Sequence, residues 1–345
     1  MSSFAAVIHP LDAKEDMRRW YPVLARVVPT ALIRGLTRKL PPFVLSEIRG
    51  VRSQEDGTQA AGWLVVCPLS TVQMLRLPPQ TIYDKIVQAG RVAQRRGARL
   101  LGLGATASAV GDGGVTIAQR LNMPITTGRT LAVGLAVEAL QTASQNMGLD
   151  MHSATAAVVG ASGSVGLACA EMLAPMVGRL ILVGRREIRL SQARAQAEAA
   201  GAVAVKVSTE ISVVREADIV LSATSALQAI LYPEHLKRHA LVCDVALPPD
   251  VAPDVKRQRQ DVSLIRGGIV TVPGPADLGC DLGLPAGHAY AYVVEPMILA
   301  LEGRYESLSL GQRVHMEKVR EITQLAQKHG FSVPETRLSR DDHSQ

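Results

Sequence analysis

The chain has 345 residues, of which 47% are hydrophobic and 20% are charged, and its formal net charge is +6. This composition indicates a globular, enzyme-sized protein with room for two or three domains. The modest charge and the aromatic content of 3% argue against a nucleic-acid partner. No apolar run has the length of a transmembrane segment, while peripheral contact of a basic face with an anionic membrane stays open.

The first residues, MSSFAAVIHPLD, lack the basic region and long apolar run of a secretory signal. The four cysteines are far apart and show no paired metal spacing. They are Cys67, Cys169, Cys243 and Cys280. We therefore expect a cytoplasmic protein with free thiols, no disulfide and no bound metal.

Residues 1–129 are predicted to form an N-terminal α/β substrate lobe, in which short apolar runs alternate with helical stretches. The apolar runs are Ala5 to Ile8, Gly62 to Cys67 and Leu100 to Leu103, and the clearest helical stretch is Tyr83 to Arg96. A polar segment from Ser53 to Ala60 indicates a hairpin or loop. A connecting helix is expected within residues 130–150.

The sequence GASGSVG follows the apolar run Ala156 to Val159 and precedes a helical stretch and a second apolar run, Leu180 to Val183. Three glycines at this spacing let a strand turn into a helix whose backbone N–H groups face a pyrophosphate, and nearby serines add hydroxyl donors. The predicted binding residues are Gly160, Ser162, Gly163, Ser164, Val165 and Gly166. Residues 151–272 are therefore predicted to form a Rossmann domain, a doubly wound sheet of about six parallel strands.

Arg185 and Arg186 follow the second strand of this domain, where NAD-binding proteins usually carry an acidic residue for the ribose hydroxyls. Two guanidinium groups there favour a 2′-phosphate, so we predict NADP(H) as the cofactor. Further cofactor contacts are expected where later strands end. These residues are Ala223, Thr224, Ser225, Asp244, Val245, Gly267 and Gly268.

Beyond residue 272 the composition shifts first to proline and glycine. Helices are then expected from about His288 to Leu301 and from Gln312 to His329. Residues 273–345 are thus predicted to be a C-terminal helical segment that completes the active site.

Six motifs in this order carry a resemblance that covers nearly the whole chain. They are LLGLGA (Leu100 to Ala105), PITTGRT (Pro124 to Thr130), VVGASGSVG, RGGIV (Arg266 to Val270), ILALEGR (Ile298 to Arg304) and KHGF (Lys328 to Phe331). The chain resembles the cyanobacterial long-chain acyl-[acyl-carrier-protein] reductases and their wider bacterial relatives. The resemblance implies reduction of a fatty acyl thioester to an aldehyde by NADPH, through an acyl group held on a cysteine. It also implies an acyl carrier protein as partner and a role in lipid metabolism.

The chain departs from this family at the catalytic position, because Tyr292 stands where the family has its cysteine. A phenol is mostly protonated at neutral pH and is a poor substitute for a thiolate. Tyr292 instead suits the donation of a proton to a carbonyl oxygen, and Lys85, which matches a family lysine, is the candidate partner that would lower its pKa. Packing of an aromatic ring on an amphipathic helix is the alternative.

Cys280 is a second candidate nucleophile because it lies twelve positions before Tyr292, although Asp277 and Asp281 should raise its pKa. Three functions follow. The first is reduction of an acyl or long-chain carbonyl substrate by NADPH, assisted by Tyr292. The second is reduction of a thioester to a fatty aldehyde through Cys280 or by direct hydride attack. The third is binding of NADPH and acyl groups without catalysis.

Overall fold

The computed structural model describes residues 2–11, 16, 20 and 40–334. The chain divides into two compact units. The first contains residues 1–131, 269–313 and 317–332, and the second contains residues 132–268, 314–316 and 333–345. Most of the predicted C-terminal segment, residues 273–345, thus belongs to the same unit as the N-terminal lobe.

The first unit is built on a five-stranded sheet with the order β2-β3-β1-β4-β5. The strands are β1 Ser2–Ile8, β2 Phe43–Arg52, β3 Gln59–Val66, β4 Leu101–Leu103 and β5 Ile125–Thr126. Strand β1 runs parallel to β3 and β4, and β4 runs parallel to β5. Only β2 is antiparallel, because the polar turn after it folds the chain back onto β3, which confirms the predicted hairpin.

Four helices accompany this sheet in the described part of the first unit's N-terminal segment. They are α1 Thr71–Arg76, α2 Pro79–Arg95, α3 Ala105–Ala109 and α4 Val115–Leu121. Helix α2 begins with Pro79. Proline has no backbone N–H, but the N–H of a first helical residue has no partner within the helix, so no hydrogen bond is lost. Ile82, Ile86 and Ala93 form part of its buried face, whose three- and four-residue spacing packs one side of the helix into the core.

The second unit contains a six-stranded sheet with the order β11-β10-β9-β6-β7-β8, parallel throughout. The strands are β6 Thr155–Val159, β7 Arg179–Val183, β8 Val205–Ser208, β9 Ile219–Ser222, β10 Leu241–Asp244 and β11 Ser263–Arg266. The order reverses between β6 and β9, which is the arrangement of a dinucleotide-binding Rossmann sheet. The predicted fold class, α/β with a parallel Rossmann sheet, is confirmed.

The helices of this region are α5 Arg129–Asn146, α6 Ser164–Leu173, α7 Glu187–Ala199 and α8 Pro253–Gln258, with short 3-10 helices at Ile211–Glu216 and Pro233–His235. Helix α5 is the predicted connecting helix, and its first three residues belong to the first unit. Every strand of the six-stranded sheet except β8 and β11 has a fully buried apolar stretch, as expected for a parallel sheet covered on both faces.

The C-terminal part of the first unit contains the strands β12 Ile269–Thr271 and β13 His288–Tyr290, then helices α9 Ala291–Leu301 and α10 Met316–His329. The helix predicted from His288 begins three residues later, because residues 288–290 pair with β12 as an antiparallel hairpin. The last helix begins four residues after the predicted Gln312. No helix among the described residues is long and apolar enough to cross a membrane.

Candidate functional site

The predicted cofactor residues of the second unit come together along one edge of its sheet. Pairing aligns Val159 with Val183 and Ser222, and Ser222 with Asp244, so four strands end in one row. Asp244 is in turn paired with Arg266 at the end of β11. The predicted cofactor residues lie at these strand ends, in the loops that follow them or in the first turn of α6, at the edge where open α/β sheets bind ligands.

The glycine-rich turn of this edge leaves no room for side chains. A Cβ atom on Gly160, whose φ is +84°, would lie 2.5 Å from the carbonyl oxygen of Ala223. A Cβ on Gly166 would lie 2.3 Å from the carbonyl oxygen of Gly160. Gly163 caps helix α6, so N–H groups of its first turn are available to an anion. The turn therefore fits the pyrophosphate of a dinucleotide.

Arg185 and Arg186 are exposed directly after β7. Arg186 is the residue before the first turn of α7, and neither guanidinium group is in a salt bridge within the described part of the chain. Ser162 lies beside this strand end, since its hydroxyl would be 3.2 Å from a Cβ on Gly184. Two cationic side chains thus flank the turn on the side of β7.

Two buried carboxylates organise the loops after β9 and β10, namely Asp244, a predicted cofactor residue, and Asp250, which we did not predict. Asp250 accepts hydrogen bonds from the hydroxyls of Ser222 and Thr224, both at 2.6 Å, and from the backbone N–H of Thr224 at 3.0 Å. Asp244 accepts from the N–H groups of Ala246 and Val251. Burial and the nearby Asp250 raise the pKa of Asp244 to about 6. The hydroxyl of Thr224 is therefore engaged within the protein.

Tyr292 lies in the first turn of α9, against three glycines. A Cβ on Gly104 would be 2.8 Å from the Tyr292 ring, and one on Gly128 would be 2.3 Å from its Cα. A Cβ on Gly102 would be 2.3 Å from its carbonyl oxygen. Pro296, one turn later, lacks the N–H that would bond to this carbonyl in a regular helix. Glycines in LLGLGA and PITTGRT thus shape the site around Tyr292.

The phenol of Tyr292 is a neutral hydroxyl. Its ring stacks on Tyr290 with centroids 5.5 Å apart and planes 8° from parallel. Burial raises the pKa of Tyr292 well above its usual value, and Tyr290, Asp16 and Cys280 raise it further. The hydroxyl therefore keeps its proton at neutral pH and is able to donate it or a hydrogen bond.

Cys280 is close enough to Tyr292 to affect its titration, so the structure brings together these two predicted residues. Burial raises the pKa of Cys280, and Asp281 and Asp277 raise it further against the hydrogen bond with Ser46. The thiol is thus mostly protonated at neutral pH, which makes it a weak nucleophile.

Lys85 has a different contact from the one we expected. Its Nζ donates to the carbonyl oxygen of Leu40 at 2.8 Å, and its charge acts on the thiol of Cys67. The pKa of Tyr292 is raised, by burial and by Tyr290, Asp16 and Cys280, so it is not the lowered pKa that we expected of a pairing with Lys85. Burial of the ring outweighs the favourable effect that a cation would have.

Glu295 is completely buried one helical turn after Tyr292, where it connects PITTGRT to α9. Its carboxylate accepts five hydrogen bonds. The donors are the hydroxyls of Thr126, Thr130 and Ser309 and the backbone N–H groups of Gly128 and Leu131. Arg129, whose side chain donates to the carbonyl of Gly311 at 2.7 Å, interacts electrostatically with this carboxylate. Glu295 therefore fixes the segment that packs on Tyr292.

The KHGF motif has a structural role in the first unit. His329 is buried, with Nδ1 2.9 Å from the hydroxyl of Ser53 and Nε2 2.7 Å from the carboxylate of Glu302. Lys328 forms a salt bridge with the same carboxylate. The motif thus joins α10 to the turn between β2 and β3 and to the end of α9.

The remaining cysteines are core residues. Cys67, Cys169 and Cys243 are fully buried free thiols, and burial raises the pKa of each. Their packing and high pKa values do not suit nucleophilic catalysis.

Comparison with known proteins finds matches to both units. The family model of shikimate / quinate 5-dehydrogenases matches residues 141–266, which lie in the second unit and contain its whole sheet. This match agrees with the predicted nicotinamide dinucleotide cofactor.

The chain is similar to three curated proteins over longer or shorter stretches. It is 28% identical to the aminotransferase PigE of a Serratia species over 286 residues, 80% of this chain and 33% of that protein. It is 28% identical to the long-chain acyl-[acyl-carrier-protein] reductase of Synechococcus elongatus over 214 residues, 60% of this chain and 61% of the reductase. It is 33% identical to glutamyl-tRNA reductase of Thermus thermophilus over 127 residues, 36% of this chain and 32% of that enzyme.

The chain thus spans about a third of the aminotransferase and of the glutamyl-tRNA reductase and about three fifths of the acyl reductase. The similarity to the acyl reductase supports, as distant homology, the family resemblance that the six sequence motifs carry. Together with the Rossmann sheet, these similarities indicate a domain that binds a nicotinamide dinucleotide.

Proposed function

We propose that the protein is an NADPH-dependent reductase of an acyl or long-chain carbonyl substrate, and that the hydroxyl of Tyr292 donates to the carbonyl oxygen. The observation that carries the proposal is the neutral phenol of Tyr292, whose residue packs against Gly102, Gly104 and Gly128 in the first unit. The distant similarity to the acyl-[acyl-carrier-protein] reductase supports an acyl substrate, carried on acyl carrier protein or free.

The second unit is proposed to bind the cofactor. N–H groups of the turn from Gly160 to Gly166 bind the pyrophosphate, and Arg185 and Arg186 bind the 2′-phosphate. The loops after β9, β10 and β11 border the same edge of the sheet, and the buried carboxylate of Asp250 keeps the first of them in place. NADPH would supply a hydride, which carries two electrons and one proton, whereas reduction of a carbonyl to an alcohol takes two electrons and two protons.

Tyr292 is proposed to supply the missing proton. As the electron pair reaches the carbonyl carbon, the carbonyl oxygen becomes more basic than a phenolate, so proton transfer from the phenol is favourable even with a raised pKa. An aldehyde then becomes an alcohol, and the phenolate takes a new proton from water. With a thioester, the phenol stabilises the developing oxyanion by a hydrogen bond, and the C–S bond breaks to release an aldehyde and a thiolate, which takes a proton from water.

Cys280 is the basis of the second candidate function, because its thiol acts electrostatically on Tyr292 and so lies near it. In that route the thiol would first take the acyl group and release the carrier thiol. Its raised pKa counts against this route, since little thiolate is present at neutral pH.

The test follows NADPH oxidation by the purified protein with three additions: decanal, decanoyl-acyl carrier protein and no substrate. We expect oxidation only when a carbonyl substrate is present. Oxidation with the thioester but not with decanal, together with its loss in Cys280→Ala, would favour the cysteine route. Binding of NADPH without oxidation of any substrate would contradict the proposal and leave a non-enzymatic binding protein.

A further inference from the structure

Three buried side-chain polar atoms have no hydrogen-bond partner among the described residues of the first unit. One is Oδ1 of Asp112. The other two are Nε2 of His9, a residue 5% exposed, and Oγ1 of Thr71, a residue 2% exposed. A buried polar atom without a partner usually costs stability, and such atoms are few in folded proteins. Two of them close together indicate polar groups that are kept for a ligand.

Backbone contacts put His9 and Thr71 at one edge of the sheet. His9 directly follows β1, and Thr71 follows the neighbouring parallel strand β3 as the first residue of α1. The N–H of Thr71 donates to the carbonyl oxygen of Pro10, the residue after His9, at 3.2 Å. Carboxyl ends of parallel strands are the usual ligand edge of an α/β sheet.

The same edge carries Tyr292. Gly104 follows β4, the other neighbour of β1, and its N–H donates to the carbonyl of Val7 at 3.0 Å. The ring of Tyr292 packs on Gly104, and the carbonyl of Val7 is adjacent to it. His9 is two residues after Val7, so the sheet edge that carries the unpartnered atoms also carries the ring of Tyr292.

The hydrogen-bonding character of the two atoms is complementary. Nδ1 of His9 contacts the carbonyl oxygen of Pro10 at 3.4 Å, and because a carbonyl only accepts, the ring proton is on Nδ1 and Nε2 is an acceptor. Burial lowers the pKa of His9 to about 4, which keeps the ring neutral. The hydroxyl of Thr71 is able to donate.

We propose that His9 and Thr71 form a subsite that binds a secondary amide of the substrate between their side chains. Nε2 of His9 accepts from the amide N–H on one side, and the Thr71 hydroxyl donates to the amide oxygen on the other, since these two groups of a trans amide point in opposite directions. A fatty aldehyde has no such group. The pantetheine arm of an acyl thioester has amides a few bonds from the sulfur. The subsite therefore selects pantetheine-bound acyl groups, an inference that rests on the proposed function for its choice of thioesters.

Binding of two decanoyl thioesters tests the subsite directly by calorimetry with NADP⁺ present. The N-acetylcysteamine thioester carries one secondary amide, and the S-hexyl thioester has a similar length without it. Thr71→Val keeps the shape of the side chain and removes one hydrogen bond, so it should raise the dissociation constant of the amide probe about tenfold. The ratio of the dissociation constant of the S-hexyl probe to that of the amide probe should fall by the same factor. His9→Leu should act in the same direction.

Thr323→Val is the matched control, because the Thr323 hydroxyl already donates to the carbonyl of Val319 within α10. It should leave the ratio of the two dissociation constants unchanged. Equal weakening of both probes in Thr71→Val, or no weakening of either, would overturn the subsite. If the ratio falls as expected while the wild-type protein oxidises NADPH with neither probe, the subsite stands and the proposed reduction fails.

Discussion

Gly128 and Tyr292 are packed backbone to backbone. A Cβ on Gly128 would lie 2.3 Å from Cα and 2.4 Å from the backbone nitrogen of Tyr292, and the φ angle of Gly128 is +72°. Only glycine combines this φ with this contact at low cost. The turn that ends PITTGRT therefore sets the position of the first turn of α9, from which the phenol projects.

Gly128→Ala should destabilise the first unit for two reasons. The left-handed backbone costs about 1 kcal/mol with a Cβ, and the overlap with Tyr292 adds about 1–3 kcal/mol. Gly97→Ala is the control, because Gly97 also has a positive φ, +90°, but nothing lies within 4 Å of its Cβ position. Urea denaturation should show a larger loss for Gly128→Ala than for Gly97→Ala. Equal losses of unfolding free energy in the two variants would mean that the contact between Gly128 and Tyr292 does not affect stability.

Glu295→Gln should lower both stability and activity. An amide has one acceptor oxygen where the carboxylate has two, so some of the five donors lose their partner, at a cost of about 3 kcal/mol. Segment 126–131 would then be less well fixed against Tyr292. Glu321→Gln removes a carboxylate that pairs with Arg304 on the surface and should cost less than about 1 kcal/mol. Similar thermal stability of the two variants would contradict the role given to Glu295.

The Rossmann domain was predictable from the sequence because its determinants are local. The glycine spacing, the two apolar strand runs and the Arg185–Arg186 pair all lie within residues 156–186. The hairpin from Ser53 to Ala60 was predictable for the same reason. Strand β13 was missed, because three residues pair only when β12, some seventeen residues earlier, is present beside them.

The site around Tyr292 was only partly predictable. The family motif pointed to its position, but its partners come from segments far apart in the chain, and burial reverses the direction in which its pKa was expected to move. Glu295 was missed, because the groups that donate to its buried carboxylate come from residues 126–131 and from Ser309, outside its own helix. The polar His9 that directly follows an apolar strand was the one available signal for the subsite.

Replacement of Arg185 and Arg186 by an Asp-Ala pair should change cofactor preference. Loss of charge-assisted hydrogen bonds to the 2′-phosphate should raise the dissociation constant of NADPH about 10- to 100-fold, while that of NADH changes much less. Arg189→Ala removes another exposed cation, three residues further on, and should affect both cofactors little. Fluorescence titration measures the dissociation constants of both cofactors for the wild-type protein and for each variant. Equal weakening of NADPH and NADH in the double variant would contradict the assignment.

Asp244 should make the second unit less stable as pH rises from about 4 to about 6. Its pKa in the folded protein is about 6, above the ordinary value, so the folded state holds a proton in this range that the unfolded state has lost. The resulting cost above pH 6 is about 3 kcal/mol. Relative to wild type, Asp244→Asn should therefore gain stability over this range in urea denaturation.

Asp261→Asn should show the opposite trend, because the hydrogen bond and charge of Arg259 lower the pKa of Asp261. The stability that Asp261 contributes is present at neutral pH and is lost as pH falls through its lowered pKa. If the Asp244→Asn and wild-type curves are parallel between pH 4 and pH 6, the carboxyl of Asp244 does not titrate there.

Turnover of Tyr292→Phe tests the central claim most directly. The substitution keeps the ring and its stacking on Tyr290 and removes only the hydroxyl, so folding and NADPH affinity should stay near those of the wild-type protein. With decanal as substrate, kcat should fall about 10²- to 10⁴-fold, as expected when a proton donor is lost. Undiminished reduction of decanal by Tyr292→Phe, with NADPH bound normally, would show that the phenol is not the acid.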